Sequence, residues 1–249
     1  MHRLLICIGA LCLTACSYLA ENLSPNPQIL QTEDPDWIVL KPVSRGLRQT
    51  GIIYIPGGFV DPHAYISAVE DLVAIEGHVV LIPKVAANLA ILNIKKALDG
   101  PEIANEVQDW LVGGHSLGGT AACILVEQSP ETFAGLFLTG SYSSVDLSNW
   151  DRPVLSLLGE FDGVLQQTVL DESMVNLPPA HWLDNVSAMP TSPTIGQTIY
   201  HEIAGGNHAG FGEYGPQRGD DEASIGVDEQ HQIVNEFIKT FLRANNLDQ

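Results

Sequence analysis

The sequence predicts an α/β fold, a mostly parallel, doubly wound sheet covered by helices on both faces. Three observations predict it. Short apolar runs of strand length alternate along the chain with amphipathic stretches of helical period. Many of those runs end in a turn rich in glycine or proline, where a parallel strand hands over to its crossover. The composition, 45% hydrophobic and 16% charged over 249 residues, suits one globular domain with a sizeable core. No internal repeat or low-complexity tract interrupts the pattern.

The first residues read as an address and lie outside the expected fold. His2 and Arg3 give a positive start, and residues 4–15 form an apolar run too short to span a bilayer comfortably. This is the shape of a signal peptide. It ends in Leu13-Thr14-Ala15-Cys16, which resembles the bacterial lipobox. That resemblance implies cleavage before Cys16, acylation of Cys16, and an exported chain anchored to a bacterial membrane. Cys7 and Cys12 would leave with the leader, so Cys123 would remain as a buried free thiol with no disulfide partner. Residues 16–36, with Pro25, Pro27 and Pro35 and few large apolar side chains, read as a lipidated tether. The domain is then expected over 37–249.

Within the domain, residues 37–43 read as a first strand, placed at an edge because Pro42 removes a ladder donor. Residues 51–55 read as a buried strand running into Pro56-Gly57-Gly58-Phe59. An amphipathic helix follows over 64–76, with Ile66, Val69, Leu72 and Val73 on one side. The next strand is 78–82, and a short helix is expected near Ala104-Asn105-Glu106. Residues 110–113 form the strand before Gly114-His115-Ser116-Leu117-Gly118, and 120–126 a packed helix after it. Strands at 134–138, 153–158 and 197–203 follow, with a helix and a proline-rich loop over 164–195. Residues 228–244 close the chain as a helix burying Ile233, Val234, Phe237, Ile238 and Phe241.

Gly114-His-Ser-Leu-Gly118 fits G-x-S-x-G between a strand and a helix. That spacing holds the central side chain outward at a tight turn, and the glycines let strand and helix approach. A serine hydroxyl is a weak nucleophile at neutral pH and needs a base, which needs an orienting acid. Downstream, Asp162 follows one strand and His208 follows the last, in the order serine, acid, base. All three fall at carboxyl ends of strands, where a doubly wound sheet gathers its functional groups. Glu160 competes with Asp162 for the acid, and Asp162 is favoured by its G-x-x-D placement. The oxyanion hole needs two main-chain N–H groups. Leu117 is expected to give one and Phe59 the other, with Gly58 second. His63, His115 and Asn207 are candidate pocket residues, although the residue before the serine in such a turn points away from it. The stretch 205–226, with Glu213, Asp220, Asp221 and Glu222 around the base, is expected to fix the His208 loop or wall the pocket.

These residues resemble the α/β-hydrolase superfamily, and within it the α/β-hydrolase family 5 group, relatives of dienelactone-hydrolase-like esterases. The likeness covers about residues 50–242. It rests on Tyr54-Ile-Pro-Gly-Gly-Phe-Val-Asp-Pro62 with Tyr65, and on Pro83-Lys84 with Asn88-Leu-Ala90. It rests also on the Gly114 to Gly119 elbow, on Gly159-x-x-Asp162, and on Gly205-Gly-Asn-His-Ala209 continuing to Gln217 and Gly219-Asp220. The resemblance implies a serine hydrolase with nucleophile, acid and base at Ser116, Asp162 and His208. One departure stands out: dienelactone hydrolases proper use cysteine where this chain has Ser116.

Charge and motif content narrow the remaining options. A net charge of −19 with no Lys/Arg cluster argues against nucleic acid as a partner. The histidines show no H-x-x-x-H pairing and no G-x-x-x-x-G-K-[ST] loop occurs, so no metal or nucleotide cofactor is expected. The expectation is an esterase acting on a small-molecule, short-acyl ester, with a small or open pocket because no long lid insertion exists. Thioester or peptide cleavage would use the same residues. A catalytically silent binding lipoprotein on the same fold is the competing class. Nothing in the sequence sets the oligomeric state.

Overall fold

A computed structural model describes residues 18–21, 24–85, 88–89 and 94–249. The leader, 1–15, and Cys16 lie outside the described residues. Among those described, nine strands form a single sheet in the order β1-β2-β4-β3-β5-β6-β7-β9-β8. The strands are β1 (Ile29–Glu33), β2 (Trp37–Pro42), β3 (Thr50–Ile55), β4 (Val80–Pro83), β5 (Asp109–His115), β6 (Gly135–Thr139), β7 (Val154–Gly159), β8 (Ala180–Trp182) and β9 (Thr198–Ile203). From β4 to β8 every pairing is parallel, whereas β2 runs antiparallel to both β1 and β4.

The central parallel strands are mostly apolar because both faces are covered. Alternate residues feed two separate cores. Ile53, Ile55, Val112, Leu136 and Leu138 pack on one face with the elbow helix. Ile52, Tyr54, Leu111 and Phe137 pack on the other. The first face carries α2 (Gly100–Ile103), α3 (Leu117–Gln128) and, through Leu170, α4 (Gln167–Ser173); the second carries α1 (Ile66–Ala74) and α5 (Val227–Ala244). In α5, Val234, Phe237, Ile238, Phe241 and Leu242 form the buried stripe. Cys123 lies in α3, fully buried, and burial pushes its thiol up to about 12. No described helix is long and apolar enough to cross a membrane.

Four expectations are corrected. The strand at Trp37–Pro42 is not the edge: β1 pairs along its whole length, from Ile29 opposite Pro42 to Glu33 opposite Ile38. Pro42 is tolerated because it is the last residue of the strand. Consequently 16–36 is not simply a tether. Residues 18–21 also belong to the fold: the Tyr18 amide donates to the Phe59 carbonyl (2.8 Å), the Asp61 amide donates to the Tyr18 carbonyl (2.8 Å), and the Glu21 amide donates to the Glu213 carbonyl (2.8 Å). The short helix before the elbow strand is Gly100–Ile103, started by Pro101 in its first turn, while 104–106 is a turn. The proline-rich loop contains a further strand, β8, which pairs with β9 although all three of its residues are exposed.

Candidate active site

The strand order reverses around β3, whose neighbours are β4 on one side and β5 on the other. The crevice beyond the carboxyl ends of strands at such a reversal is where doubly wound sheets bind ligands. The turn after β3 carries Gly57 and Gly58, and the turn after β5 carries Ser116.

Ser116 sits between β5 and α3 with φ 53° and ψ −123°, a left-handed backbone that a non-glycine residue adopts only when its surroundings hold it there. The hold is visible. A Cβ at Gly118 would lie 2.1 Å from the Ile55 carbonyl oxygen, so the helix start packs directly on β3. The Ser116 amide donates to the Thr139 carbonyl (3.0 Å), and the Ser141 hydroxyl donates to the Ser116 carbonyl (2.7 Å).

Across the cleft, the His208 Nδ1–H donates to Asp162 Oδ2 at 2.7 Å, with both side chains almost wholly buried. Asp162 Oδ1 accepts from the Val164 and Leu165 amides at 3.0 and 2.7 Å, which fixes the carboxylate. With Nδ1 committed, the lone pair lies on Nε2, which has no hydrogen-bond partner among the described residues. Ser116 and His208 line one cavity of about 280 Å³, walled by Leu117, Tyr142, Val164, Leu165 and Val169, and no charged side chain lines it. The serine hydroxyl and Nε2 are not hydrogen-bonded to each other; such bonds tighten on substrate binding.

Glu160, the competing acid, is committed elsewhere: its Oε2 accepts from the Gly205 amide at 2.8 Å. Asp220, one of the four acids expected to fix the His208 loop, ties the two loops together. Its Oδ1 accepts from Gly163 (3.1 Å) and His208 (3.2 Å), and its Oδ2 from Ala209 (2.7 Å). Gln230 of α5 was not singled out from sequence. Its Oε1 accepts from the Asn207 amide and its Nε2 donates to the Asn207 carbonyl, at 3.1 and 2.9 Å. The density of carboxylates and amides just after the base was the available signal.

Several expected pocket residues stand elsewhere. Asn207 does not line the serine cavity; its Oδ1 accepts from Gly210 (2.9 Å) and its Nδ2 donates to the Asp221 carbonyl (2.7 Å), bracing the loop. His63 faces a different cleft, paired with Asp61 at 2.7 Å and Glu33 at 3.1 Å. Burial works against its charge, but those two carboxylates raise its pKa overall. His115 is fully buried behind the site. Its ring lies tilted against that of His208, with centroids 4.4 Å apart, and its Nδ1 lies 2.9 Å from the Tyr65 hydroxyl. A larger cavity of about 510 Å³ lies behind the base loop and touches neither Ser116 nor Asp162.

The expected oxyanion donor Phe59 is corrected. Its amide donates to the Asn88 carbonyl at 2.8 Å, so that N–H is already committed. The Gly57 amide donates to the Tyr65 hydroxyl at 2.9 Å. Between them the Gly58 amide has no partner among the described residues, and a Cβ on Gly58 would touch Leu117 Cβ at 3.6 Å. Leu117 is the first residue of α3, where main-chain N–H groups lack helical acceptors. Gly58 and Leu117 are therefore the pair of open amides beside Ser116.

Comparison with known proteins bears on the family and the fold. No curated protein matches the sequence. Among solved structures, Est1E from Butyrivibrio proteoclasticus is similar in fold at 11% identity, with a TM-score of 0.58 over 86% of this chain and 99% of that one. The same protein solved with ferulic acid gives 12% identity and a TM-score of 0.57, over 85% and 95%. The lip1 protein of Acinetobacter baumannii AYE gives 15% and 0.59, over 89% and 93%. The sequence model described as "Alpha/beta hydrolase family" matches residues 51–232, and the chain belongs to that family.

Proposed function

We propose that the chain is a serine esterase that cleaves a carboxylic ester with a small, neutral acyl group through an acyl-enzyme on Ser116. The observation that carries this reading is Ser116 at a strained turn, in one uncharged cavity with a histidine whose other nitrogen is held by Asp162. Family membership and the esterase-like neighbours in fold support it. A carboxylic acid bound to Est1E supports an acid-forming reaction on this scaffold.

In the proposed reaction, the Ser116 Oγ attacks the ester carbonyl while His208 Nε2 takes the hydroxyl proton. Asp162 holds the ring and stabilises the imidazolium. The carbonyl oxygen becomes an oxyanion facing the Gly58 and Leu117 amides. Collapse breaks the bond to the alcohol, which leaves with the proton from His208. Water then repeats the sequence on the acyl-serine, releasing the acid and restoring Ser116. A cavity lined without cations favours a neutral acyl group over an acidic one.

The test is labelling with a fluorophosphonate and turnover of p-nitrophenyl acetate. The parent should be labelled at Ser116, and Ser116→Ala should lose both labelling and at least about 10⁴-fold of kcat with its fold intact. An unlabelled parent, or an alanine variant that turns over at the parental rate, overturns the mechanism and leaves the silent binding protein as the better account.

We also propose that Cys16 is acylated and holds the exported enzyme at a membrane, on the strength of the apolar run and the Leu13-Thr14-Ala15-Cys16 sequence. Labelled palmitate should enter the parent and not Cys16→Ala, and the parent alone should sediment with membranes.

A further inference from the structure

A chain of buried contacts runs from the turn after β3 to the base His208, and its middle members, Tyr65 and His115, have no part in the reaction above. It begins at Gly57, whose amide donates to the Tyr65 hydroxyl at 2.9 Å. It continues from the Tyr65 hydroxyl to His115 Nδ1 at 2.9 Å. It ends where the His115 ring lies against His208, Phe211 and Tyr214, with centroids 4.4, 5.7 and 6.3 Å away. Tyr65 and His115 are both fully buried, so water does not compete for these bonds.

We propose that Tyr65 and His115 are positioning residues that hold the Gly57–Gly58 turn so that the Gly58 amide points at the oxyanion. The inference rests on the esterase reading above.

The hydroxyl oxygen accepts from Gly57, and we assign its single proton to His115 Nδ1, which is the only acceptor near it among the described residues. Burial keeps both partners in the forms this needs: the phenol well above its ordinary value, hence protonated, and the imidazole well below its own, hence neutral. Nδ1 is then the acceptor and Nε2 carries the hydrogen. Space is equally restricted. A Cβ on Gly57 would lie 2.8 Å from the Tyr65 hydroxyl and 2.9 Å from His115 Nδ1, so the turn rests directly on both. On the far side the Phe59 amide is tied to Asn88. The peptide bearing the Gly58 N–H is thereby fixed at both ends, and only one end, that of Tyr65 and His115, depends on side chains. Their contribution is preorganisation: a donor held in place before charge develops needs no reorganisation when it does.

The experiment uses the full-length chain and p-nitrophenyl acetate, with fluorophosphonate labelling of the parent confirming Ser116 first. Tyr65→Phe keeps the ring, which packs 5.1 Å from Tyr54, and deletes only the hydroxyl. Its kcat should fall about 10- to 100-fold with KM changed less than about 2-fold, because a displaced oxyanion donor acts on the transition state. His115→Leu should fall similarly. His115→Asn, whose amide oxygen can replace Nδ1 as acceptor, should recover most of the rate. The double variant Tyr65→Phe/His115→Leu should be no slower than the slower single, since both break one chain. The acid limb of kcat/KM should stay where it is in Tyr65→Phe, because Asp162 and His208 are untouched.

A folded Tyr65→Phe with parental kcat overturns the proposal, as does a loss confined to KM. So does an acid limb that moves while the plateau holds, which would place the effect on His208 instead. If the parent is not labelled, the esterase reading fails and the positioning role with it. If the parent is labelled and Tyr65→Phe is unaffected, only the positioning role falls.

Discussion

The two sides of the cleft are held by opposite means. On the base side, Asp162, Asp220 and Glu160 accept from a series of main-chain amides, and Gln230 bridges the peptide of Asn207. On the oxyanion side, the turn after β3 is held by a neutral tyrosine, a neutral histidine and main-chain bonds: Phe59 to Asn88, Val60 to Gly57 and Tyr18 to Phe59. The base side must stabilise an imidazolium, so anionic supports help it. The oxyanion side must receive a negative charge, and a carboxylate beside it would oppose the reaction. The placement of charge thus follows from the charges that the proposed reaction creates.

That contrast can be broken experimentally. The largest effect should come from Asp162→Asn, which keeps the shape but presents the wrong partner to Nδ1; kcat should drop about 10⁴-fold. A drop of less than 10-fold would remove the acid from its role. Next is Asp220→Ala, which strands the Gly163, His208 and Ala209 amides. Stability should fall by about 2 kcal/mol and kcat by about 10- to 100-fold, read by denaturant titration and steady-state kinetics. An unchanged rate would mean the base loop needs no such clamp.

A third test separates the sides by pH. Burial holds the folded His115 well below the ordinary imidazole value, whereas in the unfolded chain it titrates near 6.5. Below about pH 6.5 the unfolded chain therefore binds a proton that the folded chain refuses, and the stability tied to neutral His115 is lost as pH falls. The stability difference between the parent and His115→Asn should be constant above about pH 7.5 and shift against the parent toward pH 5.5. A difference that moves the other way would contradict a neutral, buried ring. Smaller still, Glu160→Gln should cost no more than about 3-fold in kcat, since its amide oxygen can still accept from Gly205. Phe59→Ala should change stability by under about 0.5 kcal/mol and leave the rate alone, because that side chain is 41% exposed and its role is main-chain.

What could be read from the sequence, and what could not, divides along physical lines. Strands buried on both faces announce themselves, because only continuous apolar runs such as Gly135–Thr139 and Val154–Gly159 can fill such positions. The elbow was legible because few residues besides glycine fit at 114 and 118. Asp162 and His208 were legible from their places after strands, and their 2.7 Å contact joins residues far apart in the chain. The edge strands were not. Ile29–Glu33 and Ala180–Trp182 are mostly exposed, so no apolar pattern marks them, and pairing with a neighbour alone makes them strands. Of the two oxyanion candidates the sequence offered, the open amide is the second, Gly58. The choice between Gly58 and Phe59 depends on whose amide already has an acceptor, and that acceptor, Asn88, is remote in sequence. Tyr65 and His115 were hidden for a similar reason: an aromatic at the start of a helix and a histidine beside a serine look alike whether they pack, bind or position.

The bridge from Tyr18 to the turn after β3 sets a length. If a lipid sits on Cys16, Ser17 is the sole intervening residue before main-chain bonds to Phe59 and Asp61, so the leash is only about 7 Å long. An enzyme so moored cannot swing freely above the lipid headgroups. The turn after β3, to which Tyr18 is bonded, would then lie close against the headgroups whenever the anchor is inserted.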